Sequence, residues 1–151
     1  MDYEKATTDE FGKSLDGLGL NILVRVVLGM VDFLKAVFGM NAFQATADFA
    51  IMRYGNQVFQ LHADHTYHSH PLPSLLPESG PRGGGLEIRL YDTDPDEATA
   101  QAASHAHAST LLQAPENKPH GLRECVILCE NGYAWLPSRR LSQEETEEQT
   151  G

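Results

Sequence analysis

The chain has 151 residues, of which 41% are hydrophobic, and it carries a formal net charge of −10. This length and composition are typical of one globular domain with its own core. The acidic excess argues against nucleic acid as a partner, because phosphates must be met by cations. The sequence shows no apolar run long enough to cross a membrane and no signal-peptide pattern in residues 1–5, so we expect a cytoplasmic protein.

The first half of the chain predicts one β-α-β-β-β unit. Residues 1–16 show no clear hydrophobic period and are expected to form a flexible N-terminal arm. Residues 18–26 alternate as a half-buried strand does, and residues 30–38 place apolar side chains at helical spacing, with Gly39 just past the end. Strands over 40–45, 49–54 and 57–62 complete the unit, with a tight turn at Gly55 and Asn56.

The second half repeats this order after an irregular segment. Residues 65–83 contain four prolines and are predicted to form a connector. A strand over 86–91 precedes an alanine-rich helix that begins after Asp94 and runs to about residue 108. Strands over 109–114, 123–128 and 133–137 follow, and the acidic residues 139–151 are expected to be a disordered tail.

The two halves also share sequence. Residues 19–24 (GLNILV) are echoed 66 positions later by residues 85–90 (GLEIRL), and residues 54–59 are loosely echoed by residues 131–136. A repeat of this kind indicates two copies of one unit that pack around a shared cleft. Asn21 and Glu87 therefore occupy corresponding positions.

Several short motifs resemble one known superfamily in their order and spacing. They are VDFL at 31–34 before Phe38 and Gly39, RYG at 53–55, LHAD at 61–64, DPD at 94–96, GLRE at 121–124 and ENGY at 130–133. Over residues 18–138 the chain resembles the glyoxalase, bleomycin-resistance and extradiol-dioxygenase proteins, also called the vicinal oxygen chelate superfamily. The resemblance implies an α+β fold in which two βαβββ repeats, 17–64 and 84–138, form curled mixed sheets around a cleft. It further implies one glyoxalase-like domain over 17–138 and a homodimer.

The resemblance also implies a set of metal positions. The metal enzymes of the superfamily place a His, Gln or Glu on the first and last strand of each half. The corresponding residues here are Asn21, Gln60 (or Phe59 if the register shifts by one), Glu87 and Leu136. Leucine cannot bind a metal and amides bind weakly, so we expect no catalytic metal and no other cofactor.

The remaining candidate residues favour an organic ligand. Alternation places Asn21 on one strand face and, on the corresponding face of the second half, Glu87, Arg89 and Tyr91. Glu87 and Arg89 either contact a polar ligand or pair with each other. Aromatic side chains either stack on a planar ligand or belong to the core, and they are Phe49, Phe59 and Trp135.

A histidine cluster, made of His62, His65, His68 and His70, leaves two interpretations open. It is either a zinc or copper site or a partly exposed loop that binds metal adventitiously. His62, at the end of a strand, could also point into the cleft as a polar contact or a general base.

These observations predict a protein that sequesters a small molecule, cationic or aromatic, as a cytoplasmic homodimer without a catalytic metal. The first alternative is a lyase or dioxygenase that holds Zn, Ni, Mn or Fe in a rearranged site of Gln60, His62 and Glu87, with Glu87 as the catalytic residue. The second alternative is an assembly or regulatory module whose partner is another protein.

Overall fold

Four α-helices and eight strands make up the computed structural model, which describes residues 1–150. In chain order they are α1 (Thr8–Ser14), β1 (Asn21–Val24), α2 (Val27–Phe38), β2 (Asn41–Phe43), β3 (Phe49–Tyr54), β4 (Gln57–Ala63), β5 (Glu87–Tyr91), α3 (Pro95–Ser104), β6 (Thr110–Asn117), β7 (Leu122–Leu128), β8 (Ala134–Arg140) and α4 (Gln143–Thr150). None of these helices combines the length and the apolar character that crossing a membrane requires.

The strands form two open, mixed sheets of four strands each. Their orders are β1-β4-β3-β2 and β5-β8-β7-β6, and in each sheet the first strand runs parallel to the last strand of its repeat. The predicted α+β fold with two βαβββ repeats is therefore confirmed. Asn21 and Glu87, the first residues of β1 and β5, do occupy corresponding positions.

The chain divides into two compact units that each contain one sheet. Unit 1 comprises Met1–Lys35 and Gly39–Leu76, and unit 2 comprises Ala36–Phe38 and the chain from Pro77 onward. The boundary after Leu76 falls within the predicted connector 65–83; one short 3-10 helix, Asp64–Tyr67, overlaps its start and a second, Leu72–Leu75, lies within it. The single domain over 17–138 stays a prediction.

The two faces of the unit 1 sheet differ in burial. Side chains on one face, from Ile22, Val24, Ala50, Met52 and Leu61, are all buried in the core. The other face carries Gln60 and His62, which are only half-buried. Since neighbouring residues of a strand point to opposite faces, the half-buried polar side chains of β4 lie together on this second face.

Helix α2 ends at Gly39 for a local reason. Gly39 has a φ of 69°, its N–H donates to the Lys35 carbonyl, and the Met40 N–H donates to the Leu34 carbonyl. This pair of bonds satisfies the last carbonyls of the helix, and glycine adopts the left-handed conformation without steric cost.

In unit 2, α3 packs against one face of its sheet. Asp94 begins the helix as predicted, with its Oδ1 accepting from the Asp96 N–H at 3.0 Å. Ala98 and Ala102 are buried, and the Thr99 hydroxyl lies 3.5 Å from Cys125 Sγ on β7. The helix ends at Ser104, four residues before the predicted end.

Both ends of the chain differ from the expectation of a flexible arm and a disordered tail. Helix α1 lies within residues 1–16, capped by Thr7, whose hydroxyl accepts from the Glu10 N–H at 3.1 Å. Residues 139 and 140 finish β8, and α4 follows. Arg139 holds α4 through two hydrogen bonds to the Glu145 carboxylate, of 2.8 and 2.9 Å.

Candidate ligand-binding site

The polar face of the unit 1 sheet brings together side chains from three strands. In the register of the sheet, Asn21 on β1 is opposite Gln60 on β4, and Gln60 is in turn opposite Ile51 on β3. Two residues further along, His62 is opposite Phe49. These residues share one face because side chains on neighbouring strands point the same way at paired positions.

A pocket of about 340 Å³ lies on this face and is contained within unit 1. The sheet forms one wall and α1 with the turn before it forms the other. The lining residues are Thr7, Thr8, Phe11, Gly12, Leu15, Gln44, Phe49, Ile51, Gln60 and His62. Three of the predicted site residues are therefore in one pocket, and five of its residues come from a segment that the sequence did not suggest.

Two polar side chains sit at the base of the pocket in contact with each other. The Nε2 atom of His62 lies 3.1 Å from Oε1 of Gln60, and the His62 ring lies 5.2 Å from the ring of Phe49. Burial lowers the pKa of His62 from its ordinary value of 6.5, because the charged imidazolium loses hydration there. The pocket therefore presents a neutral imidazole, an amide and an aromatic ring.

Asn21 lies on the same sheet face but outside the pocket lining. It is exposed, and its Nδ2 donates to the Tyr67 hydroxyl at 3.3 Å. The Tyr67 ring also lies 5.0 Å from the ring of His62. Asn21 thus holds a neighbour of His62 rather than lining the cavity itself.

Two of the aromatic side chains that the sequence left open as ligand contacts or core residues lie on the sheet face opposite the polar one. Phe59 is opposite the fully buried Met52 and points away from the side that carries Gln60. Trp135 has no exposed surface, and its ring lies 5.9 Å from that of Phe38. Strand alternation turns both residues away from the polar faces; Trp135 belongs to the core, whereas Phe59 is half-buried.

The three other predicted residues gather in unit 2 around a carboxylate. Arg89 donates through Nη1 to Glu87 at 3.2 Å and through Nη2 to Glu124, and its guanidinium lies 5.7 Å from the ring centre of Tyr91. His120 Nε2 lies 3.3 Å from the same Glu124 oxygen. The predicted pairing of Glu87 with Arg89 is thus present, within a larger network.

Sequence reasoning missed the central member of that network. The side chain of Glu124 is only 8% exposed. Burial tends to raise the pKa of Glu124, but the hydrogen bonds and charges of Arg89 and His120 outweigh burial, so its pKa lies below the ordinary 4.5. Glu124 lies on β7 opposite Ser138, which has no exposed surface. An acidic residue at this inward position of an alternating strand is the feature that could have identified it.

Of the four clustered histidines, His62 is the one that lines the pocket. The other three bond locally: His65 to Asp48 at 2.8 Å, His68 to the His65 carbonyl at 3.0 Å and His70 to the Leu72 N–H at 3.0 Å. Within residues 1–150 no group of three or more His, Cys, Asp or Glu side chains is arranged to hold a metal ion.

The residues at the implied metal positions do not fit a divalent ion. Asn21 and Gln60 carry neutral amides, and each amide already has a hydrogen-bonding partner within unit 1. In unit 2 the strand partner of Glu87 is Ala134, whereas Leu136 lies opposite Arg89. Alanine and leucine alike lack a donor atom, so unit 1 offers two neutral amides at these positions and unit 2 offers one carboxylate, and neither unit supplies three strong donors there.

Comparison with known proteins supports the fold. No protein-family model matches the chain, and no curated protein sequence matches it. Among solved structures, it is similar to a glyoxalase/bleomycin resistance protein/dioxygenase family enzyme from Burkholderia phytofirmans PsJN, with a TM-score of 0.67, 19% identity and coverage of 81% of this chain and 96% of that one.

Two further structures show the same fold at lower identity. A glyoxalase-related enzyme from Fulvimarina pelagi has a TM-score of 0.65 and 11% identity, covering 83% of this chain and 89% of that one. The fosfomycin resistance protein FosX from Mesorhizobium loti has a TM-score of 0.58 and 12% identity, covering 86% and 97%. The expected resemblance is therefore confirmed at the level of the fold.

Proposed function

We propose, on the premise that the chain has the glyoxalase/bleomycin-resistance fold, that it is a member of this superfamily that binds a small organic molecule. It acts by sequestration and uses no catalytic metal. The observation that carries this proposal is the pocket of about 340 Å³ in unit 1. A concave, mostly apolar cavity with a few convergent polar groups is typical of small-molecule sites.

The lining favours an uncharged aromatic ligand over a cationic one. Phe11, Phe49 and Ile51 supply apolar surface, while Gln60 and His62 supply hydrogen-bonding groups. The ten lining residues include no acidic side chain, and burial keeps His62 neutral by lowering its pKa. A cation would therefore lose hydration without meeting a counter-charge.

The absence of a catalytic metal is proposed from donor chemistry. The paired positions Glu87 and Ala134 offer one carboxylate, and the paired positions Asn21 and Gln60 offer two amides. The lyase and dioxygenase reactions of the superfamily use the metal as a Lewis acid, so a chain with these residues is better suited to binding than to turnover.

One observation supports the metal-dependent alternative. Gln60 and His62, two of its three candidate ligands, lie in contact at the base of the pocket. The third, Glu87, belongs to unit 2. The variant Glu87→Gln separates the proposals, because a metal enzyme would lose metal and activity while a binder that uses the unit 1 pocket would keep its affinity.

Two phenylalanines on neighbouring strands provide a matched test of the pocket. We expect Phe49→Ala to weaken binding of the neutral dye N-phenylnaphthylamine by about tenfold, since it removes an aromatic wall. Phe59→Ala removes the same side chain from the opposite face and should leave the affinity unchanged. Fluorescence titration of both variants measures this, and equal affinities in all three proteins would exclude the unit 1 pocket as the site.

A further inference from the structure

The pocket in unit 1 owes half of its lining to the N-terminal segment. Thr7, Thr8, Phe11, Gly12 and Leu15 all come from α1 or its flanks. The Phe11 ring meets the ring of Phe49 edge to face, with 6.5 Å between ring centres. The segment therefore forms one wall of a partly open cavity, whose other lining residues belong to the sheet or, for Gln44, to the loop after β2.

This segment is attached to the rest of unit 1 at few points. Phe11 is its one buried side chain among residues 1–16, and residues 12–19 are all exposed. Helix α1 has seven residues, a length at which an isolated helix is unstable in water. The stretch from Leu15 to β1 includes Gly17, whose φ of 67° marks a local reversal of the backbone.

Gln44 fastens the start of the segment, where the Tyr3 ring also lies 5.5 Å from the ring of Phe43. Its side-chain Nε2 donates to the carbonyls of Tyr3 and Ala6, at 2.7 and 2.9 Å. Its backbone N–H donates to the Glu4 carboxylate at 3.1 Å. Gln44 adopts a φ of 51°, a left-handed conformation that is uncommon outside glycine, and this conformation accompanies the three contacts.

We propose that α1 is a hinged lid over the unit 1 pocket and that Gln44 is the latch that holds it closed. Residues 15–20 serve as the hinge. An uncharged aromatic molecule enters when the lid lifts and is enclosed when Phe11 returns to Phe49. The class of ligand rests on the function proposed above, but the opening of the lid does not.

Trypsin cleavage after Lys13 tests the lid without any ligand. Lys13 lies in α1, so the protease reaches it when the helix opens, whereas Arg53 lies within β3 and serves as an internal reference. The variant Gln44→Asn shortens the latch and retains a residue that tolerates a positive φ. Gln57→Asn, at an exposed position that starts β4, is the matched control.

We expect cleavage after Lys13 to be roughly tenfold faster in Gln44→Asn, because two hydrogen bonds are weakened. Gln57→Asn should behave as wild type, and cleavage after Arg53 should be equal in all three. Equal cleavage after Lys13 would overturn the proposal. Hydrogen exchange of wild type gives a second reading that needs no variant: the Phe11 amide should exchange faster than the Leu61 amide, and exchange of both only on global unfolding would contradict a lid.

The kinetics of dye binding then test the lid separately from the proposed ligand class. N-phenylnaphthylamine should enter and leave Gln44→Asn faster than wild type, with Gln57→Asn unchanged. If the dye binds but its rates do not change, the lid does not control access and the proposal fails. If the dye does not bind while cleavage still responds to Gln44→Asn, the lid stands and the proposed ligand class is wrong.

Discussion

Glu124 is a buried carboxylate, with only 8% of its side chain exposed. Removing a carboxylate from water is costly unless hydrogen-bonding partners replace its hydration, and Arg89 and His120 do so here. The network is therefore a stabilising device for the unit 2 sheet as well as a set of polar groups on its face.

We expect Glu124→Gln to lower the free energy of unfolding by roughly 1–3 kcal/mol at neutral pH, since it removes a charge from charged hydrogen bonds. Because the folded-state pKa of Glu124 lies below its ordinary 4.5, this contribution is complete above about pH 4.5 and is lost as the pH falls through the lowered pKa. The difference between wild type and variant should shrink in that acid range.

Urea unfolding followed by the fluorescence of Trp135 measures both effects. Glu116→Gln is the control, because Glu116 pairs with Lys118 but keeps 55% of its side chain exposed. It should change stability by less than about 0.5 kcal/mol. A Glu124→Gln variant as stable as wild type at neutral pH would show that the network contributes nothing.

Residue identities alone could not decide which aromatic side chains reach the ligand. Gln60 and Phe59 are neighbours, so a register shift of one residue exchanges their faces. The sequence left both open, and only the pairing of β3 with β4 places Gln60 in the pocket. Trp135 lies on the face of β8 opposite to Leu136 and has no exposed surface, so it belongs to the core, which is one of the two interpretations that the sequence left open.

At the scale of elements, α4 is fixed by a reciprocal pair of side chains. The Glu145 N–H donates to the Ser142 hydroxyl at 3.1 Å, and the Ser142 N–H donates to the Glu145 carboxylate at 2.9 Å. Hydrogen bonding to Arg139, together with that of Ser142, lowers the pKa of Glu145 to about 2. The attachment is therefore complete above pH 4.5 and is lost only as the pH falls towards about 2.

We expect Glu145→Gln to speed hydrogen exchange of the Thr146 amide, which donates to the Ser142 carbonyl. The variant weakens both the helix cap and the attachment to Arg139. Glu148→Gln, with the same charge change in the same helix, should leave exchange at Thr146 unaltered. Equal exchange in all three proteins would mean that α4 does not depend on this cap.

Both terminal helices could have been predicted from a motif that the sequence displays. Thr7 with Glu10 and Ser142 with Glu145 each follow the pattern Ser/Thr-x-x-Glu of a capping box. Hydrophobic periodicity did not reveal these helices, because α1 buries only one residue and α4 is almost wholly polar. Capping signals identify such helices better than hydrophobic periodicity does.

The turn before β8 depends on a close approach of two backbones. Gly132 has a φ of 79°, and a Cβ there would lie 2.3 Å from Cα of Pro81. Gly121 has a similar φ of 88° but open space around it. A substitution at Gly121 therefore introduces conformational strain alone, whereas a substitution at Gly132 introduces both strain and steric overlap.

We expect Gly121→Ala to destabilise the protein by roughly 1–3 kcal/mol through strain alone. Gly132→Ala should cost about 1–3 kcal/mol more, because the backbone near Pro81 must move. Thermal and urea unfolding measure both variants. Equal losses would show that the contact between Gly132 and Pro81 is loose.

At the scale of the whole molecule, the duplicated βαβββ order is the feature most accurately predicted. Strand alternation, helical spacing and turn residues are local properties, so each repeat could be predicted element by element. The pocket could not, because it combines α1 with strands that lie more than 30 residues further along the chain. The predicted homodimer stays a proposal, and light scattering on the 16.6 kDa chain tests it directly.

The central claim is that the pocket binds an uncharged small molecule without a metal. The most direct measurement is titration of chelator-dialysed protein with N-phenylnaphthylamine, before and after addition of Zn, Ni, Mn or Fe, with metal content followed by elemental mass spectrometry. We predict binding of the dye by metal-free protein with an affinity that no added metal changes. A near-stoichiometric metal that survives dialysis and raises the melting temperature, or binding that appears only with metal, would contradict the account.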